Sequence, residues 1–231
     1  MFNGKNKALT FSYDDGVSQD VRMIEILNKY NLKCTFNLNS GLFGKKENLI
    51  REGVPVTHNI VEAKDVRALY EGHEVAVHTL THPDLTQLSD EDIIREVEED
   101  RIKLSELVGY EVVGMAYPFG GCNERVANIL RDKTGIKYSR AVSVTHSFEP
   151  YEDLYIYKGT LYHHGHWDEL FKLGEEFLNL KTDTPKVFYI WGHAYEFDIA
   201  PDAWEKLEKF CQMMSGKDDI FYGTNKEILL K

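Results

Sequence analysis

The chain has 231 residues, of which 42% are hydrophobic, and this length suits one large core such as a closed α/β barrel. We therefore predict a single domain over residues 1–231, with two small domains as the alternative. The 27 basic and 38 acidic side chains give a formal charge of −11. That charge repels phosphate backbones, so the composition argues against a nucleic-acid partner and favours a neutral or cationic substrate.

The cysteines and the apolar segments give two further expectations. Cys34, Cys122 and Cys211 are odd in number and have no C-x-x-C spacing, so neither a disulfide framework nor a cysteine zinc site is indicated. No stretch approaches the roughly 18 consecutive apolar residues of a membrane helix. Residues 1–7 lack the apolar core of a signal peptide. We expect no membrane insertion and a cytoplasmic location, unless a leader has been removed.

Short apolar segments alternate with segments of helical spacing along almost the whole chain. The predicted strands are, in order, Ala8–Tyr13, Cys34–Leu38, Glu74–Val77, Val113–Tyr117, Tyr138–Val142, Leu154–Thr160, Val187–Trp191 and Ile220–Tyr222. The predicted helices are Val21–Leu27, Val66–Tyr70, Asp90–Val108, Glu124–Asp132, Trp167–Leu180, Asp202–Met214 and Lys226–Leu230. Residues 41–63 form the one long irregular insertion, a loop expected to border the site.

This alternation requires parallel strands with right-handed crossovers, which leaves a doubly wound open sheet or a (β/α) barrel. We favour the barrel because polar, chemically capable residues directly follow at least four different strands. Such residues lie at the C-terminal mouth of a barrel.

Two adjacent carboxylates, Asp14 and Asp15, follow the first predicted strand. Gly16 lets the backbone turn sharply while both stay near the barrel mouth. Adjacent residues point in different directions, so one carboxylate can bind a metal while the other faces a water. A solvated Asp-Asp-Gly turn is the alternative interpretation.

Three histidines complete the set of candidate catalytic residues. His78 and His82 are four residues apart, a one-turn spacing that brings two imidazoles onto one face. With one carboxylate they would form a three-ligand site with open positions, as a catalytic divalent metal requires. His193 ends an apolar strand and is placed to protonate a leaving group. The alternative interpretation is that these histidines only cap a loop or form hydrogen bonds with the backbone.

Taken together, these residues resemble the polysaccharide deacetylases, a family that includes chitin, chitooligosaccharide and peptidoglycan N-acetylglucosamine deacetylases. The resemblance extends over residues 9–193, with the motifs in the family's order, and implies an irregular, TIM-like (β/α) barrel of about seven strands. The segment Ala116-Tyr-Pro-Phe-Gly120 is similar to the strand end that supplies an oxyanion-binding N–H. The resemblance implies that Asp14 is the base, Asp15 is the carboxylate ligand of the metal, and His78 and His82 are its imidazole ligands. It also implies that His193 is the acid and that the backbone N–H of Phe119 binds the oxyanion.

The resemblance implies a metal-dependent hydrolase that removes N-acetyl, or alternatively O-acetyl, groups from an oligo- or polysaccharide and releases acetate. The implied cofactor is a divalent metal, Zn²⁺ first, with Co²⁺, Ni²⁺ or Mn²⁺ as alternatives. Aromatic side chains near the mouth are candidates for stacking on sugar rings, although aromatic residues at strand ends also serve as core. These are Tyr117, Trp167, Trp191 and Tyr195.

The sequence departs from the family pattern at three places. Ala116 stands where the family usually carries an arginine that orients the catalytic aspartate, so either another cation such as Arg140 replaces it or the basicity of Asp14 is set differently. Trp191 stands where a leucine usually lines the acetyl pocket. The family's tryptophan-containing motif has no match, and the histidines at 163, 164 and 166 are interpreted as a polar surface loop rather than a second metal site.

Two other functions stay open on this basis. The first is a related amidohydrolase that acts on a small non-sugar amide or cyclic ureide, although the intact Asp15, His78 and His82 set argues against a metal-free version. The second is a noncatalytic carbohydrate-binding relative that kept the barrel and lost activity with the missing arginine.

Overall fold

The computed structural model describes residues 2–230. Its strands are β1 (Lys7–Asp14), β2 (Cys34–Leu38), β3 (Lys46–Arg51), β4 (Val54–Asn59), β5 (Glu74–Val77), β6 (Gly114–Ala116), β7 (Tyr138–Val144), β8 (Tyr157–Gly159), β9 (Leu161–Tyr162), β10 (Lys186–His193) and β11 (Ile220–Tyr222). Its α-helices are α1 (Asp20–Lys29), α2 (Val66–Leu69), α3 (Asp90–Val108), α4 (Glu124–Lys133), α5 (Trp167–Asn179), α6 (Ala203–Met214) and α7 (Asn225–Leu229).

The parallel strands form a ring. Their order is β8-β7-β6-β5-β2-β1-β10-β9. Only Thr160 separates β8, which pairs with β7, from β9, which pairs with β10. The path therefore returns to its start, and the ring has seven strands when β8 and β9 are counted as one interrupted strand. This confirms the irregular (β/α) barrel predicted from the sequence.

All eight residues of β1 are buried, as expected of a parallel strand covered on both faces. The strand therefore lies at the centre of the fold. Its first part, from Lys7 to Leu9, also pairs with β11, whereas its last part, from Phe11 to Asp14, pairs with β2. The carboxyl end of β1 therefore lies between β2 and β10, which fixes the position of Asp14.

The helices cover the ring, and the longest of them, α3, begins and ends where the sequence predicts. The side chain of Ser89 accepts a hydrogen bond from the Asp92 N–H, and Gly109 ends the helix in the left-handed conformation, with φ of 80°. Within residues 2–230, no helix has the length and apolar character needed to cross a bilayer.

The insertion predicted as irregular over residues 41–63 is instead mostly an antiparallel hairpin of β3 and β4, so that prediction is wrong. Arg51 pairs with Val54 across a two-residue turn, and Glu52 and Gly53 have φ of 53° and 79°. A turn with two positive φ values is the type I′ geometry, which is usually marked by Asn-Gly or Asp-Gly. Because glutamate occupies the first position of this turn, the sequence does not carry that signal.

The predicted strand Leu154–Thr160 is also corrected, because residues 154–156 form a 3₁₀ turn and only residues 157–159 and 161–162 are extended. In contrast, β10 runs two residues further than predicted, to His193.

Candidate active site

The predicted site residues follow different strands but meet at one end of the barrel. Asp14 is the last residue of β1, His193 is the last residue of β10, and His78 directly follows β5. Because carboxyl ends of parallel strands share one face of a barrel, these side chains meet around one cleft of about 290 Å³. Every predicted site residue lines this cleft except Trp167.

A carboxylate and two imidazoles converge on one side of the cleft. Asp15 Oδ1 lies 3.5 Å from His78 Nε2 and 3.6 Å from His82 Nε2. One ligand atom from each of the three residues lies within 4.8 Å of the others. One oxygen and two nitrogen donors in this arrangement suit a divalent ion that keeps open positions.

The protonation of these groups also fits a metal ion. His78 Nδ1 lies 2.8 Å from the Ala116 carbonyl oxygen, which can only accept, so Nδ1 carries a hydrogen and the neutral ring has its lone pair on Nε2. Burial and the neighbouring His78 lower the pKa of His82 to about 4, so its ring is neutral at pH 7. Burial alone would raise the pKa of Asp15, but the hydrogen bond with His58 and the nearby histidines hold it well below its usual value.

The loop between His78 and His82 is fixed by buried acidic residues of α3. Glu96 accepts hydrogen bonds from both the N–H and the hydroxyl of Thr81, each at 2.9 Å. Asp100, one turn later on the same face, accepts from the His78 N–H at 3.3 Å. Within the loop, Thr79 Oγ1 accepts from the His82 N–H at 3.1 Å. The loop is thus held both from α3 and from within.

Strained backbone is concentrated at this cleft. Within residues 2–230, eight non-glycine residues have positive φ. Half of them line the cleft or lie in the segment from His78 to His82: Asp15, Thr79, His82 and Phe119. Such conformations cost on the order of 1–3 kcal/mol each and persist where the surrounding contacts impose them. Asp15 has φ of 78°, and its carboxylate faces His58, His78 and His82.

Asp14 is held by two side chains, one from the adjacent strand β2 and one from β7, which lies further around the ring. The guanidinium of Arg140 donates from Nη2 to Asp14 Oδ2, and Asn37 Nδ2 donates to Asp14 Oδ1 at 2.8 Å. Arg140 is fully buried, and it is the register partner of Ala116 in the β6–β7 pair. The arginine that the family carries at position 116 is therefore replaced by an arginine one strand further around the barrel.

His193 lies opposite the three-residue group and is held by a carboxylate that sequence reasoning missed. Glu196 Oε1 accepts from His193 Nδ1 at 3.0 Å, and Glu196 Oε2 accepts from the His193 backbone N–H at 2.9 Å. Tyr162 also donates to Glu196. Although burial lowers the pKa of His193, the charge of Glu196 raises it to about 9. His193 Nε2 remains directed toward Asp14, 3.9 Å from Oδ2.

The histidines of the 163–166 segment do not share one environment. His163 is only 1% exposed and stacks on Phe197, so the prediction of a surface loop is wrong for it, whereas His166 is exposed. His163, His164 and Glu196 place ligand atoms within 4.8 Å of one another. Both Glu196 oxygens already accept hydrogen bonds from His193, so Glu196 is engaged in holding that histidine.

Aromatic side chains form the walls of the cleft. Trp191 stacks on Tyr162, with ring centroids 4.5 Å apart, and Phe119 is 72% exposed with its ring 4.5 Å from that of His82. Tyr117 and Tyr195 line the same cleft. Trp167, by contrast, lies at the start of α5 and packs on His163, so the structure does not place it with the other predicted sugar-stacking residues.

The β3–β4 hairpin closes one side of the cleft, which the sequence suggests only as a bordering loop. Arg51, at the hairpin turn, donates from Nη2 to the Tyr195 hydroxyl at 3.3 Å. His58, in β4, is buried against Asp15. Neither residue is recognisable from sequence, because nothing in the local pattern shows which way the hairpin folds.

Comparison with known proteins identifies a family and relatives that this chain resembles. The profile of the polysaccharide deacetylase family matches residues 3–139, more than half of the chain. A peptidoglycan-N-acetylglucosamine deacetylase of Listeria monocytogenes, PgdA, is 27% identical over 124 residues, which are 53% of this chain and 23% of that protein. The chain thus matches about a quarter of the length of this curated relative.

Solved structures show the same fold. A family 4 carbohydrate esterase from Streptomyces lividans, in complex with acetate, superimposes with a TM-score of 0.59 and 16% identity, covering 95% of this chain and 93% of that one. BA3943 of Bacillus anthracis, described as a family 4 pseudoenzyme, gives a TM-score of 0.58 and 16% identity over 97% of this chain and 66% of that one. The family match, supported by this shared architecture, shows that the chain belongs to the polysaccharide deacetylase family.

Proposed function

We propose that this protein is a metal-dependent deacetylase that hydrolyses the N-acetyl group of a carbohydrate. The observation that carries the proposal is the convergence of Asp15, His78 and His82 beside a buried Asp14 and opposite His193. This arrangement combines a metal-ligand set, a base and an acid around one cleft. Zn²⁺ suits the two imidazoles and one carboxylate best, and Co²⁺, Ni²⁺ and Mn²⁺ accept similar ligands.

A divalent ion held by Asp15, His78 and His82 would polarise the acetyl carbonyl and lower the pKa of a water molecule. Asp14 is the base that takes the proton of the attacking water. Its two oxygens are anchored by Arg140 and Asn37, so the carboxylate keeps one orientation toward the cleft. A base that is already oriented contributes to the rate because little rearrangement is needed during the reaction.

His193 is the acid that protonates the departing amine nitrogen. Its Nδ1–H is bound to Glu196, which leaves Nε2–H directed to the cleft. A pKa of about 9 keeps His193 protonated at neutral pH, as an acid must be before it acts. The amide C–N bond then breaks to give acetate and a free amino sugar.

The remaining groups of the cleft bind the substrate. The backbone N–H of Phe119 is our candidate donor to the oxyanion, a contact that strengthens as negative charge develops on the oxygen. Tyr117, Trp191 and Tyr195 supply aromatic surface for the apolar faces of sugar rings. An oligomer of N-acetylglucosamine is neutral, so the formal charge of −11 on the protein does not repel it.

A substrate panel tests this function against its rivals. Protein loaded with one equivalent of Zn²⁺ is incubated with N-acetylglucosamine oligomers, with an O-acetylated xylan and with a cyclic ureide, and the release of acetate or the opening of the ring is measured. We expect acetate release from the N-acetylated oligomers. Ring opening alone would favour a small-amide hydrolase, and saturable binding of the oligomers without any acetate would favour a noncatalytic relative.

A further inference from the structure

The β3–β4 hairpin places a buried histidine against the far side of the carboxylate of Asp15. His58 Nε2 lies 3.1 Å from Asp15 Oδ2, whereas His78 and His82 face the other oxygen, Oδ1. His58 is only 9% exposed, so water competes little for this contact. The carboxylate of Asp15 is therefore held from one side and left open on the other.

The chemistry of this contact fixes its direction. A carboxylate oxygen can only accept a hydrogen bond, so a ring N–H of His58 faces Asp15. Because Oδ2 accepts this bond, Oδ1 faces the imidazoles of His78 and His82. Asp15 also has the left-handed backbone conformation, with φ of 78°, and a side-chain anchor offsets part of the cost of that conformation.

His58 is itself held in place from several directions. Its Nδ1 lies 3.2 Å from Glu47 Oε1, on the neighbouring strand of the hairpin, and its ring meets the ring of Tyr195 edge to face at 5.2 Å between centroids. The end of the hairpin is bound to the loop that carries Asp15, because Ser18 N–H donates to the Asn59 carbonyl oxygen at 2.8 Å. The order Glu47, His58, Asp15 is thus a fixed chain of contacts.

We propose that His58 is a positioning residue for the carboxylate ligand Asp15, and that the β3–β4 hairpin is in this way a working part of the metal centre. The proposal rests on the metal site of the proposed function and extends it to a segment outside the family motifs of this sequence. Partners that orient a metal ligand typically contribute about 10–100-fold to metal affinity.

Substitution of His58 by glutamine or by asparagine distinguishes a positioning role from simple packing. Glutamine can place its amide nitrogen near the position of His58 Nε2 and can reach Asp15, whereas asparagine places its nitrogen near Nδ1 and reaches only Glu47. Thr57, the neighbouring residue in β4, has an exposed side chain and gives a matched control. The measurements are the Kd for Zn²⁺ of each metal-free protein, the visible spectrum of its Co²⁺ form, and its Tm without metal.

We expect H58N to weaken Zn²⁺ binding by about 10–100-fold and to change the Co²⁺ spectrum. We expect H58Q to stay within about threefold of wild type, a partial rescue, and T57A to match wild type. Equal Kd values for H58N and wild type would overturn the proposal. Equal losses in H58Q and H58N would also overturn it, because both variants would then report only packing. If H58N does not fold, the test rests on H58Q alone. A tenfold loss of Zn²⁺ affinity in folded H58Q then overturns the proposal.

Failure of the metal site itself has a different signature. If wild-type protein takes up no stoichiometric Zn²⁺, both the metal site and the role of His58 are wrong. If wild-type and H58N proteins bind one Zn²⁺ with the same affinity, the metal site stands and only the role of His58 is lost.

Discussion

The guanidinium of Arg140, at the middle of β7, donates to the carboxylate of Asp14, at the end of β1, and both side chains are almost completely buried. Arg140 also lies over the ring of Trp191, with 4.3 Å between the guanidinium carbon and the ring centroid. The two residues are 126 positions apart in the sequence. The barrel therefore supplies the cation that the family places at the position of Ala116.

Removal of this cation should destabilise the protein strongly. Arg140→Met leaves the Asp14 carboxylate buried without its charged partner, which costs about 3–5 kcal/mol in the free energy of unfolding. Urea unfolding of the metal-free protein measures this loss. The control is Arg131→Met, which removes a half-exposed arginine 3.9 Å from Asp153 and should cost less than about 1 kcal/mol. Similar unfolding free energies for the two variants would contradict the role of Arg140.

Asp14→Asn should separate catalysis from metal binding. The amide keeps the shape of the side chain but cannot take a proton from water, so we expect kcat to fall by about 10²–10⁴-fold. Zn²⁺ content should stay at one per chain, because Asp14 is not one of the proposed ligands Asp15, His78 and His82. Acetate release and metal content are measured on the same preparation. A variant that retains wild-type kcat would remove Asp14 from the role of base.

The alkaline limb of the pH profile should depend on Glu196. The Glu196 charge overcomes the effect of burial and raises the pKa of His193 to about 9, so the acid is protonated below that pH and activity is lost as pH rises through it. Glu196→Gln removes the charge, so the limb should move to lower pH by about 1–3 units. Glu169→Gln, which removes a comparable contact to His146, should leave the limb in place. An unchanged limb in Glu196→Gln would show that another group titrates there.

The sequence was sufficient to predict that Asp15, His78 and His82 lie together, because Asp15 and His78 each directly follow a strand and His82 is four residues from His78. The end of a buried strand is a local signal, and Asp15 and His78 both carry it. Helix α3 was likewise predictable to the residue, since Ser89 and Gly109 are local start and stop signals.

The residues that hold Asp14, Asp15 and His193 were not predictable. Their positions depend on the pairing register of the strands and on the direction in which the loops fold. The sequence offered Arg140 only as one candidate, because no local pattern gives its register opposite Ala116. Glu196 follows His193 by three residues, a capping-box spacing that could have been noticed. His58 lies in a hairpin whose turn residue, Glu52, is unusual for its conformation.

The most direct test of the central claim is acetate release from an N-acetylglucosamine oligomer by metal-free protein during titration with Zn²⁺. We predict no release without metal and a rise to a plateau at one equivalent. We predict no rise in His78→Ala at the same Zn²⁺ concentrations, because the two remaining ligands hold the ion poorly. Full activity of the metal-free protein, or equal Zn²⁺-dependent activity in His78→Ala, would contradict it.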